Sequence, residues 1–259
     1  MQATINGLDT HYEITGSGPW ITLSHSLACS SEMWKPQIEV LKAHFTVLCY
    51  DTRGHGKTQA TPGPYTLEQL ADDAHGLLAH LKIEKTHWMG LSMGGMIGQV
   101  LAIRHPECLD KVIIADSTGK APPNGVAMWE ERAVLARSKG MAALVEPTLG
   151  RWFTQPFHQS HPQVLKEIGA LIAATPVEGY AACCAAIGLI DNLEGITKLH
   201  HPALIMVGDQ DFATPLAASE AIHKNWNGSK LTVIKDAAHL SNLEQVKVYN
   251  ETVVNFLRG

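Results

Sequence analysis

The chemistry-bearing residue that stands out is Ser92, inside Gly90-Leu91-Ser92-Met93-Gly94. The pentapeptide follows a strand-like apolar run, Thr86-His87-Trp88-Met89, and precedes a helix-like stretch from Gly95 to Arg104. A G-x-S-x-G between a strand and a helix is the pattern of a nucleophile elbow. Glycines on either side remove Cβ atoms where strand and helix crowd together, so the turn can be sharp. The serine is then presented with its Oγ exposed and its backbone strained. The chemistry this suits is attack on the carbonyl of a carboxylic ester or lactone.

An unassisted serine hydroxyl is a poor nucleophile at neutral pH, so a base and an orienting acid are required. On this kind of scaffold they follow the serine in the order Asp or Glu, then His. Asp211, in Gly208-Asp209-Gln210-Asp211, comes just after the strand-like run Ala203 to Val207. His239 comes after the run Lys230 to Ile234 and before the last helical stretch. The expected triad is therefore Ser92, Asp211 and His239. Asp209 and Asp116 are rival acids, and Asp211 can also be read as a helix N-cap ahead of Thr214-Pro215. An oxyanion needs two backbone donors. One expected donor is the N–H of Met93; the other is that of Leu27, in the loop His25-Ser26-Leu27-Ala28, which His25 would brace. Gly54-His55-Gly56-Lys57-Thr58 ends like a phosphate-binding loop, but Asp51 stands where that motif requires glycine. It reads as a structural turn, with Arg53 a candidate to face the site and bind substrate.

The elements that must position these residues alternate. Trp20–His25, Phe45–Tyr50, Thr86–Met89, Lys111–Ala115, Ala203–Val207 and Lys230–Ile234 are apolar with little polar alternation, as in strands buried on both faces of a parallel sheet. Amphipathic stretches lie between them, such as Thr66 to His80 with leucines at helical spacing. Ile5 to Ile14, interrupted by Asn6-Gly7, reads as an antiparallel hairpin at the sheet edge. The expected fold is α/β: a mostly parallel, doubly wound sheet. The alternation fails between Gly119 and Ile196, which reads as an inserted helical cap over the C-terminal edge, where ligands bind in open α/β sheets. The domains expected are a core of residues 1–118 and 197–259 and a cap of residues 119–196. Trp129 and Trp152, in that cap, are candidate walls of a substrate pocket or packing residues between cap and core.

The 259 residues carry a formal charge of −5, with no basic cluster, which removes the general reason to expect nucleic-acid or anionic-membrane binding. No apolar run approaches the roughly 20 residues of a membrane helix, and the N-terminus lacks the pattern of a signal peptide. The five cysteines show no CxxC spacing, which fits free thiols in a reducing cytoplasm. Fourteen histidines form no HExxH or comparable array, so no metal is expected. Homo-oligomerisation is left open.

The residues also carry a family likeness. Tyr50-Asp51-Thr52-Arg53-Gly54-His55-Gly56, Gly63-Pro64-Tyr65-Thr66, Gly90 to Gly98, Arg151-Trp152-Phe153-Thr154 and Ala238-His239-Leu240-Ser241-Asn242-Leu243-Glu244-Gln245 resemble the α/β-hydrolases, and among them the 3-oxoadipate enol-lactonases. The resemblance runs over nearly the whole chain, cap included. It implies an α/β-hydrolase fold, no cofactor, a triad on Ser92, Asp211 and His239, and hydrolysis of an enol-lactone in bacterial aromatic degradation. Three departures stand out. Gly188 follows Ala185-Ala186-Ile187 where that family has arginine, Phe212 follows the acid where proline is usual, and Ala28 stands where glycine is usual. With no arginine at 188, the resemblance leaves Arg53 or Arg151 to bind a substrate carboxylate, or points to a less anionic substrate. The alternatives are a general carboxylesterase, another lactonase such as one for acyl-homoserine lactones, a perhydrolase, a C–C hydrolase of diketones, and, in a different class, a non-catalytic ligand sensor.

Overall fold

The computed structural model describes residues 1–259. Eight strands, β1 (Gln2–Ile5), β2 (Leu8–Gly16), β3 (Trp20–Ser24), β4 (Thr46–Tyr50), β5 (Thr86–Leu91), β6 (Leu109–Ala115), β7 (Ala203–Gly208) and β8 (Lys230–Ile234), form one sheet. Its order is β1-β2-β4-β3-β5-β6-β7-β8. The β1–β2 and β2–β4 pairs are antiparallel, and every pair from β4 to β8 is parallel. This is the doubly wound, mostly parallel arrangement that the apolar runs predict. The two-residue turn at Asn6-Gly7 has positive φ at both positions, 51° and 74°, the backbone that twist-matched hairpins require.

The parallel strands bury both faces. Every residue of β5 and of β7 is buried, so neither shows polar alternation. Helix Leu67–His80 starts where expected, with Thr66 Oγ1 accepting the Gln69 N–H at 3.1 Å as its N-cap. Helix Met93–Arg104 is different: ten of its residues from Met93 to Ala102 are buried, because it lies between the sheet and helix Leu67–His80. Gly98 of this helix is required by contact, since a Cβ there would stand 2.2 Å from the Trp88 indole nitrogen. All five cysteines are buried and free.

Between β6 and β7 the chain forms no strand of the sheet. It builds helices Gly125–Lys139, Val145–Trp152, Gln155–Ser160, Pro162–Ala174 and Val177–Gly188, with shorter turns around them. The two ends of this stretch are tied together. Ala121 N–H donates to the Ile190 carbonyl at 2.8 Å and Asn192 N–H to that of Gly119 at 2.7 Å. Outside this bridge, Lys120 Nζ pairs with Asp191 Oδ2 at 2.8 Å. The helices therefore leave and rejoin the sheet layer at one hinge-like neck, above the strand ends that carry the candidate residues.

Candidate active site

Ser92 lies in the turn between β5 and helix Met93–Arg104 with φ 56° and ψ −115°, a left-handed backbone that a non-glycine residue occupies only under constraint. The constraint is visible. A Cβ on Gly90 would sit 2.1 Å from the Gly94 carbonyl oxygen, and one on Gly94 would sit 2.0 Å from that of Ser24. The turn itself is held by the Ser92 N–H donating to the Ala115 carbonyl (2.9 Å) and by Ser117 Oγ donating to the Ser92 carbonyl (2.8 Å).

Of the three candidate acids, the structure brings Asp211 to His239. Asp211 Oδ2 accepts the His239 Nδ1–H at 2.9 Å, and both side chains are almost wholly buried. Thr214 Oγ1 donates to the same oxygen at 2.6 Å, while Oδ1 accepts the Ala213 and Thr214 N–H groups at 2.8 and 2.9 Å. Burial alone would raise this carboxyl's pKa, but the His239 imidazole and these hydrogen bonds outweigh it, so the carboxylate form is favoured. Asp209 instead faces Lys235 and the Ala237 N–H. Asp116 is fully buried and accepts from the Gly208 N–H (2.8 Å) and from Ser241 Oγ. Burial first, and then the neighbouring Asp211 charge, push the Asp116 carboxyl well above the usual carboxylate range.

Ser92 and His239 border one cavity of about 140 Å³ together with Leu27, Trp129, Arg132, Arg151, Trp152 and Thr214. No direct hydrogen bond joins Ser92 Oγ to the imidazole, and such contacts commonly tighten only when substrate binds. A larger groove of about 770 Å³ on the outer face, between helices Gly125–Lys139 and Val177–Gly188, touches neither residue. The Leu27 N–H has no acceptor within the protein, and Met93 opens its helix, where the N–H has no intrahelical partner. Both amides are therefore free to donate to an oxyanion. The Leu27 loop is fixed from behind by His25. Its Nε2 accepts the Thr52 N–H at 2.9 Å, so the proton must be on Nδ1, which donates to the Ser26 carbonyl at 2.7 Å. Burial lowers the pKa of His25, which keeps this neutral tautomer in place. Ala28 takes φ 60°, the conformation for which glycine is usual, so its departure from the family pattern costs roughly 1–2 kcal/mol of local strain.

Trp152 lines the cavity with its ring 5.8 Å from that of His239, and half-buried Trp129 lines it from helix Gly125–Lys139. Arg53 does not reach it. Its guanidinium is bidentate to Asp73 of helix Leu67–His80, at 2.7 Å for both Nε and Nη2, and its Nη1 donates to Thr61. The expectation of a substrate-binding Arg53 is corrected for a simple reason: a buried carboxylate within bidentate reach takes the guanidinium first. Arg53→Met is expected to lower stability by about 3–5 kcal/mol in denaturant unfolding, because it strands a buried Asp73 charge. Position 188, where the family resemblance expects arginine, lies at the close crossing of helices Val177–Gly188 and Gly125–Lys139. A Cβ there would stand 3.2 Å from the Val126 Cα, and the residue borders the outer groove rather than the cavity shared by Ser92 and His239.

Two features were missed from sequence. Arg132 lines the cavity and stacks 4.8 Å over the Trp129 ring; the i, i+3 spacing on one helix was the available signal. Glu244 is a clamp between the helical stretch and the His239 loop. Its Oε1 accepts the Thr154 N–H and Oγ1–H, each at 2.8 Å, and its Oε2 accepts the Ala238 N–H. The Leu240 N–H adds a bond to the Trp152 carbonyl at 3.1 Å. Glu244→Gln puts an NH₂ donor against one of these donors. The expected result is a fall in kcat of about 10- to 100-fold, as a displaced catalytic group produces, with the loss appearing in kcat more than in KM. Among the histidines, His75 and His105 come within 4.8 Å of Glu107, but their rings stack in parallel at 3.8 Å rather than converging on one point.

Residues 19–246 match the family described as alpha/beta hydrolase fold. The chain is 35% identical over 235 residues to 3-oxoadipate enol-lactonase 2 of Acinetobacter baylyi, covering 91% of this chain and 87% of that protein. It is similar to the crystal structure of the enol-lactonase from Burkholderia xenovorans, at 39% identity, TM-score 0.97 and full coverage of both chains. It is also similar to a thermophilic esterase from Thermogutta terrifontis with malate bound, at 29% identity, TM-score 0.94 and coverage of 100% of this chain and 97% of that one.

Proposed function

The chain belongs to the α/β-hydrolase family, and from that premise we propose that it opens small lactones through an acyl-serine intermediate, with an enol-lactone of the 3-oxoadipate type as the leading substrate. The observation that carries this reading is the meeting, in one cavity, of the strained Ser92, the Asp211-held imidazole of His239 and the loop with the free Leu27 amide.

In this mechanism Ser92 Oγ attacks the lactone carbonyl while His239 Nε2 takes its proton. The oxyanion is held by the N–H groups of Leu27 and Met93. Collapse breaks the ring C–O bond, His239 returns the proton to the leaving oxygen, and an acyl-serine with a tethered enol remains. Water, deprotonated by the same imidazole, releases the acid and regenerates Ser92. An enol leaving group tautomerises to a ketone, which makes the opening effectively irreversible. Residues 119–196 act in this reading as the cap: Trp152 and Trp129 wall the ring, and Arg132 and Arg151 supply the positive charge for a substrate carboxylate. The two arginines take the place of the one absent at 188.

A general carboxylesterase is the second reading, favoured by Gly188, which removes the family's arginine, and by the likeness to the esterase. A substrate panel separates the two. If the first reading holds, kcat/KM for the enol-lactone generated in situ exceeds that for p-nitrophenyl acetate and for neutral lactones of the same ring size. Short neutral esters that beat it by orders of magnitude would leave only the esterase reading.

A further inference from the structure

The catalytic cavity backs onto a second, larger cavity that the mechanism above does not use. The two share a wall of Met96, Met128, Trp129 and Ile187, and they meet again at Ala213 and Thr214, beside the acid Asp211. The second cavity holds about 370 Å³, against about 140 Å³ for the first. Its far side is formed by Ala121, Pro122, Ile190, Pro215 and Ala218, with Thr118 and Lys120 at one end, so it is a mostly carbon-lined recess that opens to solvent past the exposed Pro122 and Pro215. The Lys120 ammonium is paired at 2.8 Å to Asp191 on the exposed rim.

Two of these facts point to a ligand. An apolar concavity beside a polar reacting centre is the arrangement that takes the hydrocarbon part of a substrate. The partition also contains two methionines, unbranched side chains that re-pack around differently shaped guests. Met96 sits on the helix that Ser92 opens, and Met128 on the helix that carries Trp129 and Arg132.

We propose that this cavity is a subsite for an unbranched alkyl arm carried on the lactone ring, entered past Met96 and Met128, so that alkyl-substituted γ-lactones are substrates of the same site. The proposal rests on the serine-lactonase reading. Each methylene that moves from water into the cavity is worth about fourfold in kcat/KM, the equivalent of about 0.8 kcal/mol.

The test is the series γ-valerolactone, γ-hexalactone, γ-heptalactone and γ-octalactone, assayed at constant pH with wild-type protein, Ala218→Phe and Met128→Ala. Ala218 borders the second cavity and not the first. The wild type is expected to gain about fourfold in kcat/KM per added methylene along this series. Ala218→Phe is expected to flatten the series, lowering γ-octalactone turnover most and γ-valerolactone least, with a thermal midpoint close to wild type showing that the variant is folded. Met128→Ala is expected to favour the longer members further. A wild-type series with no rise, or an Ala218→Phe variant that lowers every member equally, overturns the subsite. Absence of any Ser92-dependent γ-valerolactone turnover is a separate result: it removes the lactonase reading and the subsite with it.

Discussion

Ser92→Ala is expected to lower kcat toward any ester or lactone the protein hydrolyses by about 10⁴- to 10⁶-fold, the scale seen when one member of a cooperating triad is removed. The variant keeps the backbone problem while losing the oxygen, since alanine at φ 56° is as strained as serine. Loss of activity should therefore come without loss of fold, with the thermal midpoint close to wild type. Ser92→Gly separates the two effects in the other direction. It is equally inactive, but it releases a left-handed residue that costs of order 1–3 kcal/mol, and its thermal midpoint should rise. A Ser92→Ala protein that keeps a tenth of wild-type turnover would place the nucleophile elsewhere.

Asp211→Asn is the second large effect, expected at about 10⁴-fold in kcat with KM little changed. The asparagine carbonyl can still accept the Ala213 and Thr214 N–H groups that now bind Oδ1, which keeps the loop closed. Its NH₂ then faces His239 Nδ1, which must accept instead of donate. That moves the ring proton to Nε2, the atom that has to receive the Ser92 proton. Asp209→Asn should be near neutral in activity, because Asp209 faces Lys235 and the Ala237 N–H rather than the imidazole. The carboxyl's lowered pKa also has a sign for stability. Its contribution is fully present above the ordinary carboxylate range and is lost as pH falls through its folded value. Asp211→Asn should therefore flatten that part of the acid limb in pH-dependent unfolding.

The strands, the edge hairpin and the elbow could be read from sequence because each is a local pattern. β5 and β7 are unbroken apolar runs, Asn6-Gly7 suits a two-residue turn, and Ser92 has its glycines two residues to either side. Asp211 and His239 were legible because each follows its strand at the edge where the site must lie. Arg53 failed for the opposite reason. Its partner Asp73 is 20 residues away on a packed helix, and nothing local says that the two will meet. Gly188 reads in sequence as a lost ligand, yet it borders the outer groove at a helix crossing and not the cavity of Ser92 and His239, a placement that only the tertiary packing shows. Glu244 was part of a recognised run of residues, but its clamp joins segments 90 residues apart. What sequence could not supply was the set of long-range partners, and those decide which charged side chains remain free to face a substrate.

The central claim is a covalent intermediate on Ser92. Turnover of p-nitrophenyl butyrate, quenched in acid during the first turnover and followed by peptide mass spectrometry, tests it most directly. The expected result is a butyryl adduct on the peptide containing Ser92, formed with the p-nitrophenol burst and absent from Ser92→Ala. A burst with the adduct on another residue, or full turnover in Ser92→Ala, would contradict it.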